Sequence, residues 1–320
     1  MNDFRALLEK AYSKRSGLLE LTDAFRVVNG SDDGFPGVAI DQYGDRFQIQ
    51  YFGTELLSFE SEIVRAVKNV FAPKFLVSKF RLSPSGKSLE KPEMRVEVGS
   101  ETESSTVVRE GNCRFHVDLL DTVNPGLFLD MRDGRLDVEA RSRGKEVLNL
   151  FSYTCSFAVH ARMGGATRAV NADISGKILE KGRENYRLNG IEPLKGEFFK
   201  GDSREYLAWC LRKGFQFDGV VLDPPSFSRN KGKVFSVKTD FQSLVAEVAG
   251  LLAPGAFFLA STNYSAFTPD ELAKETLQTV KRQFPKAKIA WARGQGPDFP
   301  GSGKRKESAL SAVMIEVGVP

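Results

Sequence analysis

Cysteine, histidine and long apolar runs are all scarce in this chain of 320 residues. The three cysteines, Cys113, Cys155 and Cys210, are odd in number and lack C-x-x-C spacing, so neither a disulfide framework nor a zinc site is indicated. Two histidines argue against a histidine-rich metal centre, and we expect no metal. No run approaches the length of a membrane span and the amino terminus has no apolar signal core, so we expect a cytoplasmic protein without a membrane partner.

The G-x-G-x-x-G fingerprint of dinucleotide-binding proteins is also missing from the loop at residues 149–156, which removes the main support for a nicotinamide or flavin oxidoreductase. A net charge of +4 permits an anionic partner without requiring one. With 41% hydrophobic residues the composition is that of a globular protein, and the length suffices for two domains.

The chain divides into two main regions that differ in their pattern of predicted strands and helices. Residues 1–20 predict a lead-in helix, and residues 21–121 predict a small α+β domain in the order strand, strand, helix, strand, strand, because Asp-Gly and Gly-Asp turns and alternating apolar residues mark the strands. The polar stretch at 83–95 is predicted to be a loop within it. From residue 122 to 320 we predict an α/β domain, since strands and helices alternate after Glu146 and favour a mostly parallel sheet with helices on both faces.

Helix boundaries in the larger domain are well marked. The helical pattern that begins near Ser203 keeps its apolar residues on one face and stops at Gly214. A second helix opens with a capping box between Thr268 and Glu271, with Pro269 at the first helical position. After that helix we expect a hairpin at the edge of the sheet.

Acidic residues follow three of the predicted strands. Asp173, Asp202 and Asp223 stand at the strand ends of AVNADIS, FFKGDS and GVVLDPPSFS. Because parallel strands end at one edge of a sheet, these residues should lie side by side, where open α/β folds bind ligands. A lone aspartate of this kind is more often a helix cap. Three on successive strands favour a nucleoside site, in which carboxylates accept hydrogen bonds from ribose hydroxyls and an adenine amino group.

The loop after the first strand of this domain supports the same interpretation. Its small polar residues Ser152, Thr154 and Ser156 are expected to leave backbone amides free at a helix start, where an anion binds. Asp173 follows Asn149 by 24 residues (173 − 149), near the roughly 20-residue offset of a ribose-binding acid.

The segment Asp223-Pro224-Pro225-Ser226-Phe227 is the most specific signal. The residue before a proline is held extended, and the two rings stiffen the loop and remove two backbone donors. The remaining carbonyl oxygens can accept hydrogen bonds from a nucleobase while Phe227 stacks on its face. A plain strand-to-loop turn is the alternative.

These motifs, NLFSYT, NADIS, GDS and DPPSFS with GLFLDMRDGR upstream, resemble the class I S-adenosylmethionine-dependent methyltransferases that modify large-subunit ribosomal RNA. The resemblance is to the group of cytosine-C5 enzymes with a PUA domain and the related guanine-N7 module, and it covers nearly the whole chain after Leu21. It implies a Rossmann-like methyltransferase sheet, S-adenosylmethionine as cofactor and large-subunit ribosomal RNA as partner. The residues that it assigns to the cofactor are Phe128, Asp130, Arg132, Asn149, Phe151, Ser152, Tyr153, Thr154, Asp173, Ile174, Ser175, Asp202, Ser203 and Asp223.

Two departures from the family pattern stand out. Cys155 replaces a usual glycine, which puts a residue that resists positive φ where glycine adopts it freely. The roughly twenty residues before the small domain are too few for a PUA domain. RNA affinity would then come from the small domain or from the basic segments 229–233 and 304–306, which can neutralise phosphates or can be ordinary solvated loops.

The target base is inferred from what each reaction needs. Methylation at pyrimidine carbon-5 requires a cysteine nucleophile, and the strand end Ala260–Asn263 carries none where the C5 enzymes of this family would have one. Exocyclic amines are usually methylated by sites with an aromatic residue where this chain has Ser226. We therefore favour guanine N7, with Asp223, Pro224, Pro225, Phe227 and Asn263 as the catalytic set. Alternatives are a cytosine-C5 enzyme, a cofactor- or RNA-binding protein without turnover, and methylation of a protein or small molecule.

Overall fold

A computed structural model of the chain describes residues 3–83, 85–230, 233–301 and 310–319. Backbone contacts divide them into two compact units. The first comprises the described residues up to Asp130 together with Gly296–Gly301, and the second comprises Met131–Gln295 with residues 310–319. The sequence predicts a boundary after residue 121, and the structure has it after Asp130. The boundary lies later because the amide of Asp118 donates to the carbonyl of Pro125 and holds the following segment to the first unit.

The described residues form helices and strands at the following positions. The helices are α1 (Phe4–Ser13), α2 (Glu60–Phe71), α3 (Arg132–Arg141), α4 (Ser156–Met163), α5 (Gly176–Leu188), α6 (Ser203–Lys213), α7 (Val237–Ala249) and α8 (Pro269–Lys281). The strands are β1 (Ala24–Asn29), β2 (Val38–Tyr43), β3 (Arg46–Tyr51), β4 (Phe75–Leu82), β5 (Ser88–Val98), β6 (Ser105–Glu110), β7 (Cys113–Asp118), β8 (Glu146–Leu150), β9 (Arg168–Asp173), β10 (Phe198–Lys200), β11 (Phe217–Leu222), β12 (Phe227–Asn230), β13 (Lys233–Ser236), β14 (Leu252–Thr262), β15 (Lys288–Arg293) and β16 (Ser311–Glu316).

The first unit is built on a five-stranded sheet in the order β1-β2-β3-β4-β5, beside a separate β6–β7 hairpin. Only β3 and β4 run parallel, since α2 connects them. One face of the sheet packs with α1 and α2 in an apolar core that includes Phe4, Leu8, Ile49 and Ile63. The lead-in helix, predicted within residues 1–20, spans Phe4–Ser13 and is an integral part of this core.

The predicted order of strands in this unit was wrong in two respects. Three strands precede α2 instead of two, and the polar stretch predicted as a loop forms most of β5. β5 pairs only with β4 and is an edge strand, so its side chains are largely solvated and its composition resembles that of a loop. Pro92 is compatible with this position because an edge strand leaves backbone amides without ladder partners.

The opposite face of the same sheet carries a buried polar cluster. Asp41 accepts hydrogen bonds from Arg26 Nε (2.7 Å), Gln48 Nε2 (3.0 Å) and Gln50 Nε2 (3.1 Å). Lys79 is the neighbour of Gln50 across the parallel β3–β4 pair and is 1% exposed. Burial lowers the pKa of the Lys79 amine to about 8.

The second unit contains a seven-stranded sheet in the order β10-β9-β8-β11-β14-β16-β15. Five adjacent strands of this sheet are parallel: β10, β9, β8, β11 and β14. β16 runs antiparallel to both β14 and β15. This confirms the mostly parallel sheet and the edge hairpin after the last helix. The helix boundaries are confirmed as well, because α6 ends at Gly214 in a left-handed conformation and Thr268 forms the capping box that starts α8.

None of the helices in the described part of the chain combines the length and the apolar character needed to cross a lipid bilayer.

Candidate active site

The carboxyl ends of β10, β9, β8, β11 and β14 lie next to one another at one edge of the sheet. Asp173 is the last residue of β9, Asp202 lies two residues beyond β10, and Asp223 directly follows β11. The structure thus brings the three acidic residues to neighbouring strand ends, which is the arrangement expected from the sequence.

Three residues of the loop between β8 and α4 have left-handed backbones. Phe151, Tyr153 and Cys155 have φ values of +56°, +48° and +63°. Such a conformation costs a non-glycine residue about 1–3 kcal/mol and persists only where the surroundings impose it. Cys155 therefore adopts the conformation that it was expected to resist, and the strain is concentrated in the loop that joins β8 to α4.

Hydrogen bonds from the loop amides hold this strained conformation. The amide of Phe151 donates to Ser203 Oγ (3.0 Å) and the amide of Tyr153 to Asp173 Oδ2 (3.0 Å). These two amides are therefore bonded within the protein, whereas the expectation of free amides concerns the start of the following helix. The first turn of α4, in contrast, has no side-chain cap, so its amides point out of the helix toward this edge.

Asp173 is a half-buried carboxylate in a defined orientation. Its Oδ1 accepts from the amide of Ser175 (2.9 Å) and its Oδ2 from the amide of Tyr153 (3.0 Å). Burial raises the pKa of Asp173, and the two amide hydrogen bonds offset part of this shift. Since each carboxylate oxygen has two lone pairs, one on each oxygen is left for a ligand. The side chain of Ile174 beside it is 53% exposed, and Ser175 caps α5 by accepting from the Ile178 amide.

Asp202 and Ser203 have local structural contacts. Asp202 caps α6 by accepting from the amide of Arg204 (2.9 Å), which is the common explanation for an aspartate at this position. The Ser203 hydroxyl donates to the carbonyl of Ala172 (2.9 Å) and accepts from the amide of Phe151 (3.0 Å). Ser203 therefore ties the ends of β8 and β9 to the start of α6.

A buried polar network lies beneath the loop and includes two predicted site residues. Asn149 Nδ2 donates to Asn171 Oδ1 (3.0 Å), and Asn171 Nδ2 donates to the hydroxyl of Tyr186 (3.1 Å). Asn185 Nδ2 donates to the carbonyl of Thr154 (3.0 Å). The side chain of Asn149 is therefore directed into the interior, and Thr154 is held through its backbone carbonyl, so both help to position the loop. Asn171, Asn185 and Tyr186 were not predicted from the sequence, where their only signal was a polar side chain at a strand or helix position.

Asp223 is oriented by a residue that the sequence analysis did not assign. Ser261 Oγ on the neighbouring strand β14 donates to Asp223 Oδ1 (2.6 Å), and Ser261 is fully buried. Pro224 is buried, whereas Pro225 is exposed and Phe227 is 52% exposed. Asn263 is exposed and follows the end of β14, so it lies on the strand end adjacent to that of Asp223.

β12, which begins at Phe227, pairs with β13 in an antiparallel hairpin, so residues 229–230 and 233 of the basic segment lie on strands. Phe235 of β13 is buried, and its ring lies 6.2 Å from that of Phe151 and 5.3 Å from the Arg204 guanidinium. These contacts dock the base of the hairpin on the strained loop. Residues 231–232 and the second basic segment, 304–306, lie outside the described residues.

The residues assigned upstream are divided between the two units. Phe128 is 36% exposed, and it belongs with Asp130 to the first unit. Arg132 begins α3 in the second unit and is buried. Their assignment to the cofactor stays a prediction.

All three cysteines are buried: Cys113, Cys155 and Cys210. Burial raises the pKa of the Cys155 and Cys210 thiols, which disfavours their nucleophilic thiolate forms.

Comparison with known proteins agrees with this geometry. A family model described as S-adenosylmethionine-dependent methyltransferase matches residues 73–309. Ribosomal RNA large subunit methyltransferase K of Neisseria meningitidis serogroup B is 32% identical over 296 residues, covering 87% of this chain and 80% of that protein. Ribosomal RNA large subunit methyltransferase I of Klebsiella pneumoniae (strain 342) is 31% identical over 274 residues, covering 85% of this chain and 68% of that protein.

Solved structures share the fold. A protein described as a SAM-dependent methyltransferase from Streptococcus mutans aligns with a TM-score of 0.83 and 26% identity over 98% of this chain and 81% of that one. A second methyltransferase structure, complexed with SAH, aligns with a TM-score of 0.85 and 27% identity at the same coverage. The predicted Rossmann-like methyltransferase fold is confirmed. The chain belongs to the S-adenosylmethionine-dependent methyltransferase family, and S-adenosylmethionine is its cofactor.

Proposed function

We propose that this enzyme methylates N7 of a guanine in large-subunit ribosomal RNA. The names of the two relatives above, both ribosomal RNA large subunit methyltransferases, support the substrate class. The carboxyl ends of the parallel strands, called the carboxyl edge below, support guanine N7 as the target atom. This edge offers the carboxylate of Asp223 and proline carbonyls but no exposed cysteine. A ribosomal substrate also agrees with the cytoplasmic location expected from the sequence.

The carboxyl edge fits the cofactor in three places. The two remaining lone pairs of Asp173 suit the two ribose hydroxyls, and the exposed side chain of Ile174 suits an adenine face. The uncapped amino terminus of α4 suits the carboxylate of the methionine portion. When bound, S-adenosylmethionine supplies a methyl group on a positively charged sulfur. In this proposal Asp202, whose carboxylate caps α6, also accepts from the adenine amino group.

Methylation of guanine N7 makes few demands on protein side chains. The ring nitrogen would attack the methyl carbon with its in-plane lone pair while the carbon–sulfur bond breaks and the neutral thioether leaves. No proton has to leave, so orientation of the base supplies much of the acceleration. Asp223, held by Ser261, can accept hydrogen bonds from the N1–H and amino group of guanine. The same carboxylate stabilises the positive charge that develops on the base. In this proposal Phe227 stacks on the base, and Asn263 with the carbonyls of Pro224 and Pro225 completes its orientation.

The alternative of cytosine-C5 methylation has less support from the structure. That reaction needs a thiolate that attacks the adjacent ring carbon. Cys210 lies in the core beside Leu207, and Cys155 belongs to the strained loop, where burial raises the pKa of its thiol. The end of β14, from Ala260 to Asn263, carries no cysteine.

Product analysis tests this proposal. The enzyme is incubated with methyl-labelled S-adenosylmethionine and unmodified ribosomal RNA, and the RNA is digested to nucleosides. Label in 7-methylguanosine is expected, while label only in 5-methylcytidine would overturn the choice of atom and retain the substrate class. In the Asp223→Asn variant we expect kcat to fall by a larger factor than the cofactor Kd rises, because in this proposal Asp223 contacts the base as well as the cofactor. Asp218→Asn at the opposite edge, where Asp218 accepts from the amide of Glu146, is the matched control and should change neither.

A further inference from the structure

A cavity lies at the amino-terminal edge of the seven-stranded sheet, opposite the strand ends that carry the acidic residues. It has a volume of about 240 Å³ and is lined by the strand-start residues Arg168, Phe198 and Phe217 together with Tyr206 and Trp209 of α6. The strands β9 and β11 are each six residues long. At about 3.3 Å per residue, roughly 15–20 Å of sheet separates this cavity from the strand ends that carry the acidic residues.

Aromatic rings form a continuous series along this cavity. The ring of Tyr206 lies 4.6 Å from Phe199 and 5.6 Å from Trp209, whose ring lies 5.3 Å from Phe215. Trp209 and Phe215 are 40% and 44% exposed. Adjacent large aromatic side chains that stay this exposed mark an interaction site more often than a fold requirement.

A buried cationic donor completes the cavity. In the described part of the chain, the Nε–H of Arg168 is shielded from solvent and has no hydrogen-bond acceptor. Leaving such a donor unpaired is unfavourable, so a shift of the Arg168 side chain, whose Nη2 is held by a long hydrogen bond (3.5 Å) to the carbonyl of Lys195, that brings Nε to an acceptor atom of a ligand would be stabilising. Helical spacing also places the exposed Arg212 and Lys213 one turn beyond Trp209 on the same side of α6.

We propose that this cavity binds one unpaired nucleobase of the RNA that the enzyme methylates. Its volume exceeds the roughly 150 Å³ that holds a benzene ring and falls below the roughly 300 Å³ at which sites for whole ligands begin. One base therefore fits, and the next nucleotides lie outside. The rings stack on the base, Arg168 donates to one of its carbonyl or ring-nitrogen acceptors, and the exposed cations neutralise the flanking phosphates. The inference rests on the proposed RNA substrate and adds a second anchor for it.

Tryptophan fluorescence gives a direct test, because the chain has only two tryptophans. The other, Trp291 on β15, donates through Nε1 to Asp137 (2.8 Å), and a Trp291→Phe variant leaves Trp209 as the single reporter. Titration of that variant with short single-stranded RNA should quench Trp209 saturably. In anisotropy measurements with labelled RNA, Trp209→Ala should weaken binding by roughly 5- to 150-fold, the range for loss of one stacked base. Trp209→Phe retains a stacking ring and should bind nearly as the parent does.

The outcomes separate this inference from the proposed function. Methylation of ribosomal RNA with no quenching of Trp209 and normal RNA binding by Trp209→Ala would overturn the cavity assignment alone. Saturable quenching without methyl transfer to any RNA would support the cavity and count against the proposed function. Quenching by an aromatic peptide and by no RNA would also overturn the assignment, in favour of a protein partner. Unchanged thermal unfolding of the two Trp209 variants excludes misfolding as the cause of weaker binding.

Discussion

Replacement of Asp173 by asparagine should weaken cofactor binding far more than it changes stability. The carboxylate has four lone pairs, two of which accept the amides of Tyr153 and Ser175, and two remain for the ribose diol. An asparagine side chain has only one acceptor atom, so either orientation of the amide loses one backbone and one ribose hydrogen bond. A hydrogen bond to a charged group contributes about 1.5–3 kcal/mol. Loss of the ribose contact alone therefore raises the Kd roughly 10- to 150-fold.

The effect on folding is expected to be smaller because two terms oppose each other. The variant loses a backbone hydrogen bond, but it also removes a buried charge whose desolvation raises the pKa of Asp173. Calorimetric titration with S-adenosylhomocysteine gives the Kd, and urea unfolding gives the free energy of unfolding. Asp218→Asn, in which the replaced carboxylate accepts from one backbone amide at the other edge of the sheet, is the control and should bind normally. Wild-type affinity in Asp173→Asn would refute the assignment of this residue to the ribose.

Three further predictions concern buried groups. Because burial lowers the pKa of Lys79 from 10.5 to about 8, the unfolded chain binds more protons between these pH values, and the free energy of unfolding should rise by about 3 kcal/mol from pH 8 to 10.5. Urea unfolding across this range should show a flatter dependence in Lys79→Met, and equal slopes would contradict the assignment. A methyl group on Gly182 would lie 2.4 Å from Cys155 Sγ, so Gly182→Ala should cost about 1–3 kcal/mol of stability, and the additional change Cys155→Gly should recover part of it. A thiol reagent should label none of the three cysteines within minutes in the native protein and all three in urea, whereas rapid native labelling would contradict their burial.

Strand ends and helix ends were predictable because local chemistry determines them. Alternation and near-continuous apolar runs identify parallel strands, so the placement of Asp173, Asp202 and Asp223 at neighbouring strand ends followed from spacing and topology alone. Gly214 and Thr268 ended and started helices for reasons contained within a few residues.

The features that could not be predicted from the sequence depend on contacts between residues that are distant in the chain. Phe151 and Tyr153 adopt positive φ without glycine because Ser203 of α6 and Asp173 of β9 hold their amides, and no local pattern encodes that. Ser261 on β14 orients Asp223 at the end of the neighbouring strand β11, although the two residues are 38 positions apart in the sequence. β5 resembled a loop because an edge strand needs few apolar residues, so its pairing with β4 was not visible in its composition.

We expect the nucleoside of the cofactor to bind across the carboxyl ends of β8, β9 and β10. A crystal structure of the enzyme with S-adenosylhomocysteine tests this most directly. We expect both ribose hydroxyls within hydrogen-bonding distance of Asp173, at about 2.5–3.0 Å, and the amino-acid end of the ligand at the start of α4. A ligand bound elsewhere, or an Asp173 carboxylate turned away from the sugar, would contradict the assignment of the site.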